Sequence, residues 1–98
     1  MKKTRKSSAI EDRRTPSVHV ELVEPNAIDV CIAGSFNEWK PDATPMVLLG
    51  DGRWAKELSL PAGCYEYRFV VDGAWMNDPK AKETVPNPFG STNSLLRV

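Results

Sequence analysis

Apolar and polar residues alternate with a period of two from Ser17 onward, which is typical of strands with one face on a core. The first run covers residues 17–22, and the second has Ile28, Val30 and Ile32 as its apolar positions. Pro25 and Asn26 interrupt the pattern between these runs. The pattern therefore predicts two strands joined by a turn.

Turn residues divide the rest of the chain into further strands. Gly50-Asp51-Gly52 has the composition of a tight hairpin turn between apolar runs at residues 46–49 and 54–60. In residues 65–71 the aromatic side chains fall on one face of a strand, and Glu66 and Arg68 fall on the other. Asp72-Gly73 closes another hairpin, and a long loop precedes a final strand at residues 94–98. No segment has a helical period.

About seven short strands without helices indicate an all-β fold. We expect an immunoglobulin-like β-sandwich of antiparallel strands, with a small barrel as the alternative. With 98 residues, of which 41% are hydrophobic, the chain can build one core. We therefore expect a single domain.

The N-terminal segment differs in composition from the rest. Residues 1–14 hold six Lys or Arg against two Asp or Glu, and the remainder holds seven against eleven. We interpret residues 1–16 as a flexible basic extension and residues 17–98 as the folded domain. Acidic residues interrupt the basic run and no aromatic residues lie within it, so nucleic-acid binding is not expected.

The sequence predicts a cytoplasmic protein, because it has no membrane-length apolar stretch and no secretory signal pattern. Its two cysteines, Cys31 and Cys64, are too few for a metal motif. We expect buried or half-buried thiols, with a disulfide between neighbouring strands as the alternative.

The residues needed for catalysis are not arranged in any familiar pattern. The single histidine, His19, lies in a predicted strand without a nearby nucleophile, and no phosphate-binding glycine loop precedes a helix. Carboxylates are scattered over loops, and a sandwich of this size offers little depth to bury an acid. We expect no enzyme activity, no metal and no cofactor.

The three tryptophans are the most informative residues. Trp54 is in phase with Leu58 and Leu60, so it should point into the core. Trp39 and Trp75 lie beside turns, where they could either cap the sandwich or face solvent. An exposed indole offers a flat apolar surface to the ring face of a sugar.

Several short motifs, in order, resemble carbohydrate-binding module family 48. They are G-S-F-N-x-W at residues 34–39, L-x-L-P-x-G at 58–63, Y-x-Y-R-F-x-V-D-G-x-W at 65–75, N-D-P at 77–79 and V-P-N-x-F-G-S-x-N-S at 85–94. This family includes the glycogen-binding domain of AMP-activated protein kinase β subunits and the early-set domain of isoamylases and branching enzymes. The resemblance covers about residues 17–98.

The resemblance implies non-catalytic binding of α-1,4-glucans such as glycogen, starch or maltooligosaccharides. Trp39 and Trp75 would stand side by side as one flat stacking surface. Arg68 would replace the family's hydroxyl-binding lysine, and Phe89 would replace a leucine. Ser91 and Asn93 match positions with hydrogen-bonding Thr and Asn. The alternative is a scaffold module that associates with a glycogen-metabolising enzyme without binding sugar.

Overall fold

The computed structural model describes residues 15–98, which form eight strands in two antiparallel sheets. The basic segment at residues 1–14 lies outside the described residues. The strands are β1 (Ser17–Val23), β2 (Val30–Gly34), β3 (Val47–Gly50), β4 (Arg53–Ser59), β5 (Cys64–Val71), β6 (Ala74–Met76), β7 (Thr84–Pro86) and β8 (Thr92–Arg97).

The two sheets have three and five strands. The three-stranded sheet has the order β1-β4-β3, and the five-stranded sheet has the order β2-β5-β8-β7 with β6 also on β5. The prediction of an all-β sandwich is confirmed. Residues 15–98 contain no helix that could cross a bilayer.

The core lies between the sheets and is built by the alternation seen in the sequence. Val30, Ile32 and Phe69 are fully buried in the five-stranded sheet, and Leu22 and Trp54 face them from the three-stranded sheet. Trp54 thus points inward, as predicted. Its indole Nε1 donates to the backbone carbonyl of Glu24 at 3.1 Å, so the buried ring leaves no polar atom unpaired.

Strand β5 is the centre of the five-stranded sheet. One side pairs with β2 along residues 67–71. On its other side, β8 pairs with residues 64–67 and β6 with residues 69–71, so these two strands lie end to end. Asn77 joins them, since its Nδ2 donates to Thr92 Oγ1 at 2.6 Å.

The buried hydroxyl of Tyr67 holds the loop after β6 in place. Tyr67 donates its hydroxyl to Asp78 Oδ2 at 2.6 Å, and burial together with this bond raises the pKa of Tyr67 well above its usual range. The backbone nitrogen of Asp78 donates to Ser94 Oγ at 3.1 Å. The N-D-P motif is therefore tied to both β5 and β8.

The structure corrects several expectations. Ile28 was predicted in the second strand, but it precedes β2 and its surface is 88% exposed. The reason is a contact between residues far apart in the sequence, because Asp72 Oδ1 accepts hydrogen bonds from the backbone nitrogens of Ile28 and Asp29 and holds them in a loop. The predicted long loop contains the short strand β7, and β8 begins at Thr92 rather than at residue 94.

The cysteines are both free thiols, so the disulfide alternative was wrong. Cys31 is buried, as expected, on the face of β2 that points away from the core. Cys64 is exposed, contrary to the prediction, and its sulfur accepts a hydrogen bond from Arg97.

Candidate functional site

A groove of about 630 Å³ lies on the outer face of the five-stranded sheet. This face carries the side chains of β5 that alternate with the buried aromatics. The residues that line the groove are Trp39, Glu66, Arg68, Trp75, Asn87, Pro88, Phe89 and Asn93. Five of the six site residues predicted from the sequence are among them, and Ser91 is not.

Trp39 reaches the groove from a tightly bonded loop after β2. The carbonyl of Gly34 accepts hydrogen bonds from the backbone nitrogens of Asn37 and Trp39. Glu38 and Trp39 both have positive φ angles, of 60° and 58°, which turns the indole back over the sheet. There it packs on Cys31, Ala33 and Val70. Trp39 is therefore half-buried rather than freely exposed.

Gly34 allows this loop to lie close to β5. A Cβ atom at this position would lie 2.4 Å from the carbonyl oxygen of Glu66 and 2.6 Å from Cε2 of Phe36. The following Ser35 donates its backbone nitrogen to the same Glu66 carbonyl at 2.9 Å. The glycine of G-S-F-N-x-W is thus required by the close approach of two backbones.

Asn37 connects the loop to its surroundings. Its Oδ1 accepts from the backbone nitrogen of Gly34, and its Nδ2 donates to the carbonyl of Ile32 and to Thr44 Oγ1. We expect Asn37→Ala to lower the free energy of unfolding by about 1–3 kcal/mol, because partly buried backbone groups lose their partners. Urea denaturation followed by circular dichroism measures this loss. Asn26→Ala, in an exposed turn, is the control, and equal stability of the two variants would contradict the role of Asn37.

Trp75 enters the groove from β6, beside Val70 of β5. The Asp72-Gly73 turn, with φ angles of 49° and 84°, makes the hairpin that places it there. Trp75 is 42% exposed. The rings of Trp39 and Trp75 lie side by side, with centroids 6.4 Å apart, but their planes are inclined by 41°. The expected flat surface is therefore bent, and the two rings form the sides of a shallow angle.

The polar floor of the groove is formed by β5 and β8. Asn93 is only 7% exposed, and its Nδ2 donates to Glu66 Oε1 at 3.0 Å while its Oδ1 accepts from Asn87 Nδ2 at 3.1 Å. Arg68 lies on the same face of β5 as Glu66, and its Nε is buried without a hydrogen-bond partner in the described part of the chain. A buried donor of this kind is costly unless a ligand or water satisfies it.

Residues 87–91, which we call the rim loop, form the other side of the groove. Asn87 fixes the conformation of this loop. Its side-chain Oδ1 accepts hydrogen bonds from the backbone nitrogens of Phe89 and Ser91, and its backbone nitrogen donates to the Ser91 carbonyl. The Phe89 side chain is 89% exposed at the groove margin. Ser91 is the last residue of the rim loop and is exposed. Hydrogen bonding of its hydroxyl to a ligand stays a prediction.

Sequence reasoning missed three groove residues, Glu66, Asn87 and Pro88. The signal for Glu66 was present, since it alternates with the buried Tyr67 and shares a face with Arg68. The two residues of the rim loop could not be assigned to the groove by periodicity, because the loop follows no repeating pattern.

The chemistry available in the groove is that of stacking and hydrogen bonding. Its lining combines two indoles, one phenyl ring, one guanidinium, one carboxylate and two amides. No group of three or more His, Cys, Asp or Glu within residues 15–98 could hold a metal ion. A curved apolar surface beside fixed polar groups suits a ligand with apolar faces and hydroxyl edges.

Comparison with known proteins gives a family match over most of the chain. Residues 22–98 match the family described as the glycogen recognition site of AMP-activated protein kinase. The mouse and human 5'-AMP-activated protein kinase subunit beta-2 are each 37% identical over 71 residues, which is 71% of this chain and 25% of the relative. The pig subunit beta-1 is 33% identical over 70 residues, covering 71% of this chain and 54% of the relative. The chain thus spans about a quarter of the beta-2 relatives.

Proposed function

Because this chain belongs to the family of the glycogen recognition site of AMP-activated protein kinase, we propose that its groove binds α-1,4-glucan chains without catalysis. The ligands would be glycogen, starch or maltooligosaccharides, and the place of action would be the cytoplasm. The observation that carries the proposal is the convergence of Trp39, Trp75 and Arg68 on one groove.

The bent indole pair suits an α-glucan better than a flat surface would. Successive α-1,4-linked glucose units turn relative to one another, so two rings inclined by 41° can each stack on a different unit. If each indole removes about 100 Å² from water at about 25 cal/mol per Å², the gross stabilisation is about 5 kcal/mol. The entropy lost on association offsets much of it, so polar contacts must add to the affinity.

Arg68 and Phe89 supply the remaining contacts in this proposal. The unpartnered Nε of Arg68 would donate to a sugar hydroxyl, which satisfies a buried donor. Phe89 would cover an apolar edge of the glucan from the rim loop, losing its own solvent exposure. Ser91 and Asn93 are kept as predicted members of the site, with Asn93 acting through its fixed hydrogen bonds.

The groove offers no pair of carboxyl groups for glycoside hydrolysis. Glu66 is the one carboxylate among its lining residues, whereas hydrolysis generally uses two across the scissile bond. This supports a binding role.

Titration with maltoheptaose tests the proposal. We expect the tryptophan emission to change, because Trp39 and Trp75 line the groove while the buried Trp54 gives a constant background. The Kd should lie in the range of roughly micromolar to millimolar, and glycogen should bind more tightly because it presents many chain ends. A β-1,4-linked oligosaccharide of equal length is the control. Unchanged emission and no heat of binding up to millimolar maltoheptaose would refute the proposal.

A second candidate function is that of an interaction module. Strand β3 exposes Val47, Leu48 and Leu49 on the three-stranded sheet, away from the groove, and exposed apolar clusters often mark protein contacts. The matched relatives are kinase subunits, so a partner could be a kinase or a glycogen-metabolising enzyme. A folded chain that fails to bind any α-glucan would favour this alternative.

A further inference from the structure

The groove contains two oppositely charged side chains, Glu66 and Arg68, that do not form an ion pair with each other. Glu66 and Arg68 are two residues apart on the outward face of β5, and both line the groove. The ion pairs formed within residues 15–98 include none between them at 4 Å or less. Opposite charges attract more strongly where water is partly excluded, so the separation of these two side chains points to a competing contact.

A hydrogen bond to one carboxylate oxygen of Glu66 accounts for its separation from Arg68. Its Oε1 accepts from Asn93, which is itself held by Asn87 of the rim loop. The bond directs the carboxylate toward β8. Within the described residues Oε2 has no side-chain partner, and a carboxylate can accept about four hydrogen bonds. Glu66 therefore keeps spare acceptor capacity, while Arg68 keeps an unused donor.

A sugar hydroxyl pair can use both groups at once. Each hydroxyl donates one hydrogen bond and accepts others, so two neighbouring hydroxyls can bridge an acceptor and a donor that are too far apart to bond directly. Both bonds would be charge-assisted and thus stronger than neutral ones. Asn93, with both ends of its amide engaged and little exposed surface, is better suited to hold Glu66 than to bind sugar itself.

We propose that Glu66 is a sugar-contacting and specificity-determining residue that accepts a glucan hydroxyl beside Arg68 and excludes anionic sugars, with Asn93 as its positioning residue. This inference rests on the proposed glucan binding. A phosphorylated glucan brings a negative charge toward the carboxylate, and the repulsion is strong where water is partly excluded. The groove would therefore select uncharged α-glucan over phosphorylated α-glucan, although Arg68 alone would favour the anion.

The test compares two ligands on the whole chain by isothermal titration calorimetry. The ligands are maltoheptaose and maltoheptaose carrying a phosphate on one glucose O6. We expect wild type to bind the neutral sugar at least about tenfold more tightly. In Glu66→Gln the side-chain oxygen can still accept from Asn93, but the charge is gone. We expect its affinity for maltoheptaose to fall about fivefold to tenfold, and its preference for the neutral sugar to shrink by about tenfold.

A matched variant controls for net charge. Glu57→Gln removes one negative charge from the exposed face of the other sheet, so both affinities should stay at wild-type values. If Glu66→Gln loses affinity for both ligands equally, Glu66 is structural and the inference is overturned. If wild type binds maltoheptaose and its phosphorylated form equally well, the proposed preference for uncharged glucan is refuted, whatever the variants show. If wild type binds neither ligand, the proposed function itself fails, and the inference with it.

Discussion

Trp75→Ala is expected to weaken maltoheptaose binding by about 30- to 150-fold while leaving the fold intact. The lost stacking area of about 100 Å² corresponds to about 2–3 kcal/mol, and every 1.4 kcal/mol is tenfold in Kd. The stability should change by less than about 1 kcal/mol, because Trp75 is 42% exposed on a three-residue strand. A wild-type Kd near the millimolar end of the expected range would then rise beyond what millimolar sugar can detect, whereas a micromolar Kd would stay measurable.

Calorimetry and glycogen affinity electrophoresis are the measurements, because the substitution itself removes a fluorescent reporter. Thermal unfolding by circular dichroism gives the stability of the same variant. Leu48→Ala is the control, since it removes an exposed apolar side chain from the other sheet and should bind as wild type does. If Trp75→Ala unfolds, the indole is a core residue; if it binds normally, the groove is not the site.

In contrast to Trp75→Ala, Trp54→Ala should destabilise the fold, with a loss of about 3–5 kcal/mol in the free energy of unfolding. Trp54 is 6% exposed and packs between the sheets, beside Leu22 of β1. Removing it leaves a cavity and takes away one of the two hydrogen bonds to the Glu24 carbonyl, the other being donated by the backbone nitrogen of Ala27. For a domain of this size the melting temperature should fall by at least about 12 °C.

Urea denaturation followed by circular dichroism measures this effect, with Trp54→Phe as the intermediate variant. Phenylalanine keeps most of the ring but cannot donate to Glu24, so the loss should be about 1–2 kcal/mol. At temperatures where it is folded, Trp54→Phe should bind maltoheptaose with wild-type affinity, because Trp54 does not line the groove. A loss below about 1 kcal/mol for Trp54→Ala would contradict its place in the core.

The sequence predicted those parts of the fold that depend on neighbouring residues, namely the alternation within strands and the tight turns. Alternation placed Trp54, Tyr67 and Phe69 inward, and the turns at Gly50-Asp51-Gly52 and Asp72-Gly73 have the positive φ angles their residues suggest. Ile28 was misplaced because its position depends on Asp72, which is 44 residues away along the chain. Period-two patterns carry no information about such a long-range hydrogen bond.

The site was predicted less completely than the fold. Motif resemblance brought Trp39, Trp75 and Arg68 together, but it did not reveal the inclination of the indoles. That angle depends on the consecutive positive φ angles of Glu38 and Trp39, and on the hairpin before Trp75. The sugar-binding role expected of Asn93 stays a prediction, and its hydrogen bonds to Glu66 and Asn87 could not be read from the sequence because they join β5, β8 and the rim loop.

The alternation along β5 has a consequence for how such modules diverge. Tyr67 and Phe69 are held by the interior, so changes there are selected against through folding. Their neighbours Glu66 and Arg68 face outward into the groove, where under the proposed function a substitution would alter what is recognised and leave the core in place. Under this proposal, adjacent residues of one strand serve folding and recognition separately, so a single outward substitution would change sugar preference without requiring added stability elsewhere.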